Sequence, residues 1–294
     1  MKLALSLPKI KLPSLKKGKV GLSLQIGSHY LRLLELSPET QKPLWEPVEV
    51  LFDVDDPEEK IKVLRDLVNK HSLSGKEVIA ALSVDEALLK FYRYPSTMSE
   101  KDLKNAISWA VSRELSTIKE PSLYDYYVLK PSKDRHYMVL LCIAREESVK
   151  RLQGITSKAG LKLKILDYEV LALINYGLYF RLPESFSILY TDWDYSILTI
   201  FSPLALSYSV IHWSLRDYLK NRDEEYLESF FTEVRNYIVI NDLSNVYLAG
   251  VALSDEDLLE SILGNLPVLG ILDISDVKPS MLVPYMLSLR GVTE

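Results

Sequence analysis

The chain has 294 residues, 48% of them hydrophobic and 26% charged, a balance that excludes a disordered protein and leaves room for two domains of ordinary size. A formal net charge of −5 excludes a surface built throughout for nucleic acid, although residues 1–19 hold six lysines and no acid. The longest apolar run of that basic start, 3–7, is too short for a signal peptide, and no later segment approaches the roughly 18 uncharged apolar residues of a membrane span. Residues 1–19 are therefore expected to be a flexible arm, and the protein cytoplasmic. The single cysteine, Cys142, lies in an apolar run and is expected to be a buried thiol without a disulfide partner.

After the arm, Val20, Leu22, Leu24 and Ile26 alternate with small or polar residues and predict a half-buried strand. Gly27-Ser28 turns the chain, and 30–36 returns as a second strand. A loop rich in proline carries a strand at 48–52. A helix at 57–70 places Ile61, Leu64 and Val68 on one face, and a strand follows at 77–82. A strand at 87–94 stops at Pro95, and Ser99 with Asp102 has capping-box spacing ahead of the helical stripe Leu103, Ala106, Ile107, Ala110 and Val111. Strands at 123–129 and 137–144 pair around a polar turn at 131–135, and a helix at 146–159 ends on Gly160. This group, 84–161, is expected to be an inserted α/β subdomain. A strand at 163–166 and an apolar helix at 170–179 then return to the first domain, 20–83 and 162–183.

Near Pro183 the pattern starts again, with strands at 186–190 and 196–201 around a turn at 191–195. This repeat predicts two related halves, the second spanning 184–294. It holds a helix at 223–239, a short buried strand at 246–248, a turn at Gly250, and a closing helix at 281–289 with Pro284 in its first turn.

Several segments follow one another in an order that carries a resemblance. They are Val20-Gly-Leu-Ser-Leu-Gln-Ile-Gly-Ser28 with Leu31-Arg-Leu-Leu-Glu-Leu36; Ile107-Ser-Trp-Ala110 and Tyr124-Asp-Tyr126; Ala144-Arg-Glu-Glu147, Ala159-Gly-Leu161 and Asp167-Tyr-Glu169; and Val283-Pro-Tyr-Met-Leu-Ser-Leu-Arg-Gly291. Together they resemble the PilM family of type IV pilus assembly proteins. The resemblance implies an actin-like (ribonuclease H-like) two-domain α/β fold with a shortened second domain. In that fold the two hairpin turns wrap the phosphates of ATP and the late glycine turn approaches the adenosine. Gly27, Ser28, Asp192, Ser196 and Gly250 are the positions that would remain from such a site.

Departures from the family pattern point to a decayed site. Gln25 stands where the family usually has an acid, and His29 is bulky for a phosphate-wrapping turn. Asp194 replaces a glycine, and at about 4 Å would repel an anion by roughly 4 kcal/mol at an effective dielectric of about 20. Val251 replaces the second glycine of the adenosine turn. Between Ser209 and Asn241 one helix and a connection are expected, where actin-like proteins have a whole subdomain.

Taken without the resemblance, Gly27-Ser28 is a plain hairpin turn, and Asp192 and Asp194 are exposed turn residues rather than metal ligands. The four histidines have no metal-site or catalytic spacing. No catalytic residue, metal or cofactor is expected, with ATP and Mg the alternative if the old site is still used. The resemblance implies a scaffold or adaptor, not an enzyme, that holds the cytoplasmic N-terminal peptide of a PilN-like inner-membrane protein in a groove. Segments 84–94 and 123–129, with Tyr92, Tyr94, Tyr124 and Tyr126, are the expected contacts. Other assembly components, the inner face of the inner membrane and further copies of the chain are additional candidate partners. The competing readings are an ATP-binding actin-like switch or ATPase, and a GspL-like cytoplasmic component of type II secretion.

Overall fold

A computed structural model describes residues 20–129 and 136–293; the lysine-rich arm and the turn expected at 131–135 lie outside them. Strands β1 (Leu22–Ile26), β2 (Tyr30–Glu35) and β3 (Val48–Leu51) form an antiparallel meander. Helix α1 (Pro57–Lys70) starts where the Asp56 carboxylate accepts the Glu58 N–H at 2.9 Å, with proline at its first position, where no N–H is needed. Its residues Ile61, Leu64 and Val68 are buried as their spacing predicts. Strand β4 (Glu77–Leu82) then adds parallel to β1.

The chain next leaves this sheet. Strand β5 (Ala87–Pro95), helix α2 (Glu100–Thr117), and strands β6 (Ser122–Leu129) and β7 (His136–Arg145) form the inserted unit, an antiparallel sheet in the order β5-β7-β6. Ser99 caps α2, accepting the Asp102 N–H at 3.2 Å. Leu103, Ile107 and Val111 of α2 pack on Val139, Leu141 and Ile143 of β7. Cys142 of β7 is half-buried, and burial pushes its thiol up to about 12. Helix α3 (Glu146–Lys158) ends at Gly160, whose φ of +89° a residue with a side chain would resist. Strand β8 (Lys162–Tyr168) completes the first sheet beside β4, and α4 (Glu169–Tyr179) follows. Helix α3, expected within the inserted subdomain at 84–161, packs mainly on β8 and α1 of the first domain instead.

The second half opens with another meander, β9 (Phe186–Thr191), β10 (Ser196–Ser202) and β11 (Ala205–Ile211). Helices α5 (Leu215–Asn221) and α6 (Glu224–Ile240) come next, so the stretch after Ser209 holds two helices rather than the one expected. Strand β12 (Val246–Gly250) adds parallel to β9, and β13 (Val268–Leu272) adds parallel to β12 after helix α7 (Glu256–Asn265). The two large sheets, β3-β2-β1-β4-β8 and β11-β10-β9-β12-β13, therefore share one order and one pattern of directions. The repeat inferred from two hairpins extends to all five strands of each sheet.

Helix α8 (Leu282–Thr293), placed by sequence in the second half, packs on the first sheet. The Ser288 hydroxyl donates to Ser23 Oγ at 2.7 Å, Ser23 donates to the Pro284 carbonyl at 2.7 Å, and the Val20 N–H donates to the Gly291 carbonyl at 3.1 Å. A Cβ at Gly291 would lie 2.0 Å from the Val20 carbonyl oxygen, so glycine permits this approach.

Candidate functional site

The two hairpin turns face each other across the space between the halves, and they are closed alike. The Gly27 N–H donates to the Tyr30 carbonyl at 3.0 Å, and the Asp192 N–H donates to the Tyr195 carbonyl at 2.9 Å. A Cβ at Gly27 would meet the Tyr30 ring at 2.3 Å, so glycine is needed for this packing whatever the turn binds. The Lys60 ammonium on α1 holds the first turn from behind, donating to the carbonyls of Gly27 at 2.9 Å and Ser28 at 2.7 Å and pairing with Asp55.

Behind the turns lies a buried ion pair. Strand β2 is apolar except for Arg32 and its terminal Glu35, and the Arg32 side chain is wholly buried. Its guanidinium grips Asp192 of the second turn with both terminal nitrogens, at 2.8 and 2.5 Å, and donates through Nε to Glu49 of β3 at 2.7 Å. It also donates to Gln25 Oε1 at 3.0 Å and to the Tyr190 hydroxyl at 3.3 Å, and stacks on the Tyr30 ring. Burial is the largest single influence and works against the guanidinium charge, but Asp192 together with Tyr190 and Tyr30 outweighs it, and the Arg32 pKa lies well above its ordinary value. Glu49 in turn accepts from the Trp193 indole at 2.8 Å and the Ser280 hydroxyl at 3.1 Å.

Asp192 was expected to be an exposed turn residue, and it is fully buried. Its carboxylate accepts from two Arg32 nitrogens, from the Tyr190 hydroxyl at 3.0 Å and from the Trp193 N–H at 2.8 Å. An ionised carboxylate has about four acceptor sites, and four donors are present. Asp194 is also corrected. It does not stand as a bare charge facing the cleft, because it accepts the His29 N–H at 3.1 Å and contacts His29 Nδ1 at 2.6 Å. The bulk of His29 thus fills the gap between the turns and ties them.

A second buried carboxyl lies beside the first. Glu169, at the start of α4, accepts the Val84 N–H at 2.5 Å and the Tyr195 hydroxyl at 2.6 Å on one oxygen, and the Gln25 amide at 3.3 Å on the other. Burial raises its pKa to about 8; the Tyr195 hydrogen bond and the Val84 N–H work in the opposite direction. Gln25, placed by sequence where an acid was expected, thereby bridges Arg32 and Glu169 as a neutral donor and acceptor.

Of the expected remnant positions, Gly27 and Ser28 line an open cleft of about 530 Å³ between the halves, together with His29, Asp194, Arg151 and Arg216. Asp192, Ser196 and Gly250 do not. The Ser196 hydroxyl is buried without a hydrogen-bond partner. Gly250 holds φ +93° where β12 meets β9, and a Cβ there would lie 2.2 Å from the Thr191 carbonyl oxygen. Val251 is buried in the core under α6 and α7. Among the described residues no group of three or more His, Cys, Asp or Glu side chains could hold a metal ion. Sequence reasoning missed Arg32, Glu49, Glu169, Tyr190 and Tyr195 as site residues. An arginine inside an apolar strand was the one signal present.

The four tyrosines of the inserted unit separate. Tyr92 and Tyr94 are half-buried under α2, with their hydroxyls on Glu114 at 2.8 Å and on the Ala106 carbonyl at 3.4 Å. Tyr124 and Tyr126 of β6 are 51% and 39% exposed. The outer side of β5 meets the second half, where the Leu89 N–H reaches the Tyr208 hydroxyl at 3.5 Å, while β6 is the opposite edge of the sheet.

A family profile described as type IV pilus assembly protein PilM matches residues 25–185, more than half of the chain. The chain belongs to this family. A solved PilM–PilN type IV pilus biogenesis complex matches over 94% of this PilM-family chain and 100% of the other, with a TM-score of 0.75 and 19% identity. A Bacteroides thetaiotaomicron protein with an actin-like ATPase fold matches over 92% and 96%, with a TM-score of 0.55 and 13% identity. The ethanolamine utilization protein EutJ of Carboxydothermus hydrogenoformans matches over 92% and 89%, with a TM-score of 0.55 and 12% identity. No curated protein matches the chain. The fold is that of the actin-like ATPases, as the residues suggested. Among the described residues no helix is long and apolar enough to cross a membrane.

Proposed function

We propose that this PilM-family chain is a cytoplasmic adaptor in type IV pilus assembly, whose halves are held together by its own side chains in place of a nucleotide. The observation that carries this reading is the saturated Arg32–Asp192 pair. In an ATP-using relative of this fold the second turn must present free donors and a carboxylate to phosphate and metal-bound water. Here the carboxylate is spent on Arg32, Asp194 is spent on His29, and Val251 belongs to the core. The residues present do not fit ATP with Mg. Calorimetric titration with Mg-ATP is expected to show no binding tighter than millimolar and no turnover above background. A micromolar dissociation constant would transfer the proposal to an ATP-dependent switch acting through the cleft at Gly27 and Ser28.

The partner is proposed to be the cytoplasmic N-terminal segment of a PilN-like inner-membrane protein, binding as an added strand. The fold-level likeness to the PilM half of a PilM–PilN complex supports this choice. An extended peptide needs a free strand edge with side chains to anchor it. Strand β6 offers both, with Tyr124 and Tyr126 as aromatic anchors that lose little rotamer freedom on binding. The contact region is accordingly 122–129, rather than β5. A synthetic peptide with the partner's N-terminal sequence is expected to bind without nucleotide and to slow amide exchange in 122–129. Protection confined to the cleft, or binding that requires ATP, would overturn it.

A further inference from the structure

Asp167, Tyr168 and Glu169 are consecutive, at the point where β8 passes into α4, and each ties a different part of the molecule to that point. Asp167 pairs with Arg290 of α8. The Tyr168 hydroxyl lies 3.0 Å from the Ala87 carbonyl, at the start of β5, and 2.9 Å from the Tyr208 hydroxyl on β11. One Glu169 oxygen receives both the Val84 N–H, in the segment leading into the inserted unit, and the Tyr195 hydroxyl of the second turn. That turn is the one whose first residue, Asp192, is gripped by Arg32.

We propose that this tripeptide is a mechanical joint that couples closure of the two halves to the seating of the inserted sheet, so that the Arg32–Asp192 pair and strand β5 are secured or loosened together. No hydrogen bond among the described residues joins Arg32 or Asp192 to β5 directly; the hydrogen-bonded links between them run through the joint and Tyr208. Two short routes exist. One runs from Asp192 through Tyr195 and Glu169 to Val84; the other runs from β11 through Tyr208 to Tyr168, Ala87 and Leu89. Both routes are made of buried or half-buried polar groups, for which a lost partner is costly because no water replaces it. A shift of the second turn would strip Tyr195 from Glu169 and loosen the carboxyl that positions Val84. A shift of β11 would withdraw Tyr208 from Leu89 and from Tyr168. The lead-in segment adds a rigid link, because the Glu86 carboxylate caps the Ser83 N–H at 3.0 Å and pairs with Arg151 at 2.5 Å. Displacement of Val84 is thus carried to β5 instead of being absorbed by a slack loop. The joint requires neither a nucleotide nor a partner.

The test is amide exchange on the full chain. In Asp192→Asn, exchange is expected to quicken in 192–196, and also about tenfold in 84–92, while α1 at 57–70 stays unchanged as an internal reference. In the Glu169→Leu, Tyr208→Phe background, which removes the acceptor of the Val84 N–H and the Tyr208 hydroxyl, the same Asp192 substitution is expected to keep its effect at 192–196 and lose its effect on 84–92. If Asp192→Asn does not fold, Trp193→Phe, which removes the indole bond to Glu49 and part of the ring packed on the second core, is expected to give the same pattern at smaller amplitude. Unchanged exchange in 84–92, an equal rise in both backgrounds, or a uniform rise that includes α1 would overturn the proposal.

Discussion

The two halves share five strands in one order, and they differ most in the charge each brings to the space between them. Residues 20–183 hold 23 acidic and 23 basic residues, whereas 184–294 hold 17 acidic and 6 basic. At the turns this difference becomes local: the first half contributes Arg32, Lys60 and His29, and the second contributes Asp192 and Asp194. A duplicated geometry with two like turns leaves a gap for something both can hold. Opposite charges on the two sides let the halves hold each other. The pair is buried, so its attraction is little screened, but it had to offset a large desolvation cost, which the additional donors and acceptors around Arg32 and Asp192 help to meet.

Removing the charge from one side breaks the comparison most sharply. Arg32→Ala leaves Asp192 buried without its cation, and is expected to destabilise the chain by about 3–5 kcal/mol in urea unfolding. Removing both partners, as Arg32→Met with Asp192→Leu, is expected to recover much of that loss, since a matched apolar pair strands fewer charges. A double variant as unstable as the single one would show that the pair is not the unit that matters.

Next in size is the late glycine. Gly250→Ala forces a side chain to φ +93° and against the Thr191 carbonyl, and is expected to cost roughly 1–3 kcal/mol in thermal unfolding from backbone conformation alone. Gly75→Ala, at φ +77° with open space around it, is expected to cost less. Equal losses would mean that the close approach of β12 to β9 carries no weight of its own.

Glu169 sharpens the comparison through pH. Below about 4.5 both folded and unfolded states hold its proton; between 4.5 and about 8 only the folded state does. Its raised pKa therefore makes stability fall as pH climbs through that window, by up to about 1.4 kcal/mol per pH unit, and level off above it. The wild type minus Glu169→Gln difference in unfolding free energy is expected to show this slope, and a flat difference would place the carboxylate in a polar setting instead.

The smallest effect belongs to the outer tie. His29→Ala keeps the backbone N–H that Asp194 accepts, and is expected to cost under about 1 kcal/mol, less at high salt. A loss as large as that of Arg32→Ala would shift the main tie between halves to the outer turn.

Much of this architecture was legible in the residues. Periodicity and caps located α1, β4, α2 and α3, because Ile61, Leu64 and Val68 or Ser99 and Asp102 act within one or two turns of their own chain. Strands β11 and β13 and helices α5 and α7 escaped notice; α5 spans only seven residues, and β13 carries Gly270 in its interior. The site was less legible. Asp192 looks like a turn residue because its sequence neighbours are those of a turn, and its burial depends on Arg32, 160 positions away. Tyr92 and Tyr124 look alike in sequence, and only the position of α2 over the sheet buries one and leaves the other exposed.

The sequence by itself determined the family, the two hairpin turns and the strands and helix of the inserted sheet, though not the bounds of that unit, since these rest on local spacing and backbone sterics. Tertiary structure alone decided that α8 crosses to the first sheet, that β5 meets the second half at Leu89 while β6 lies at the opposite edge, and that Arg32 meets Asp192. Those outcomes depend on which distant surfaces are brought together and dried, and a charge's role changes with its solvent exposure, which no local pattern records.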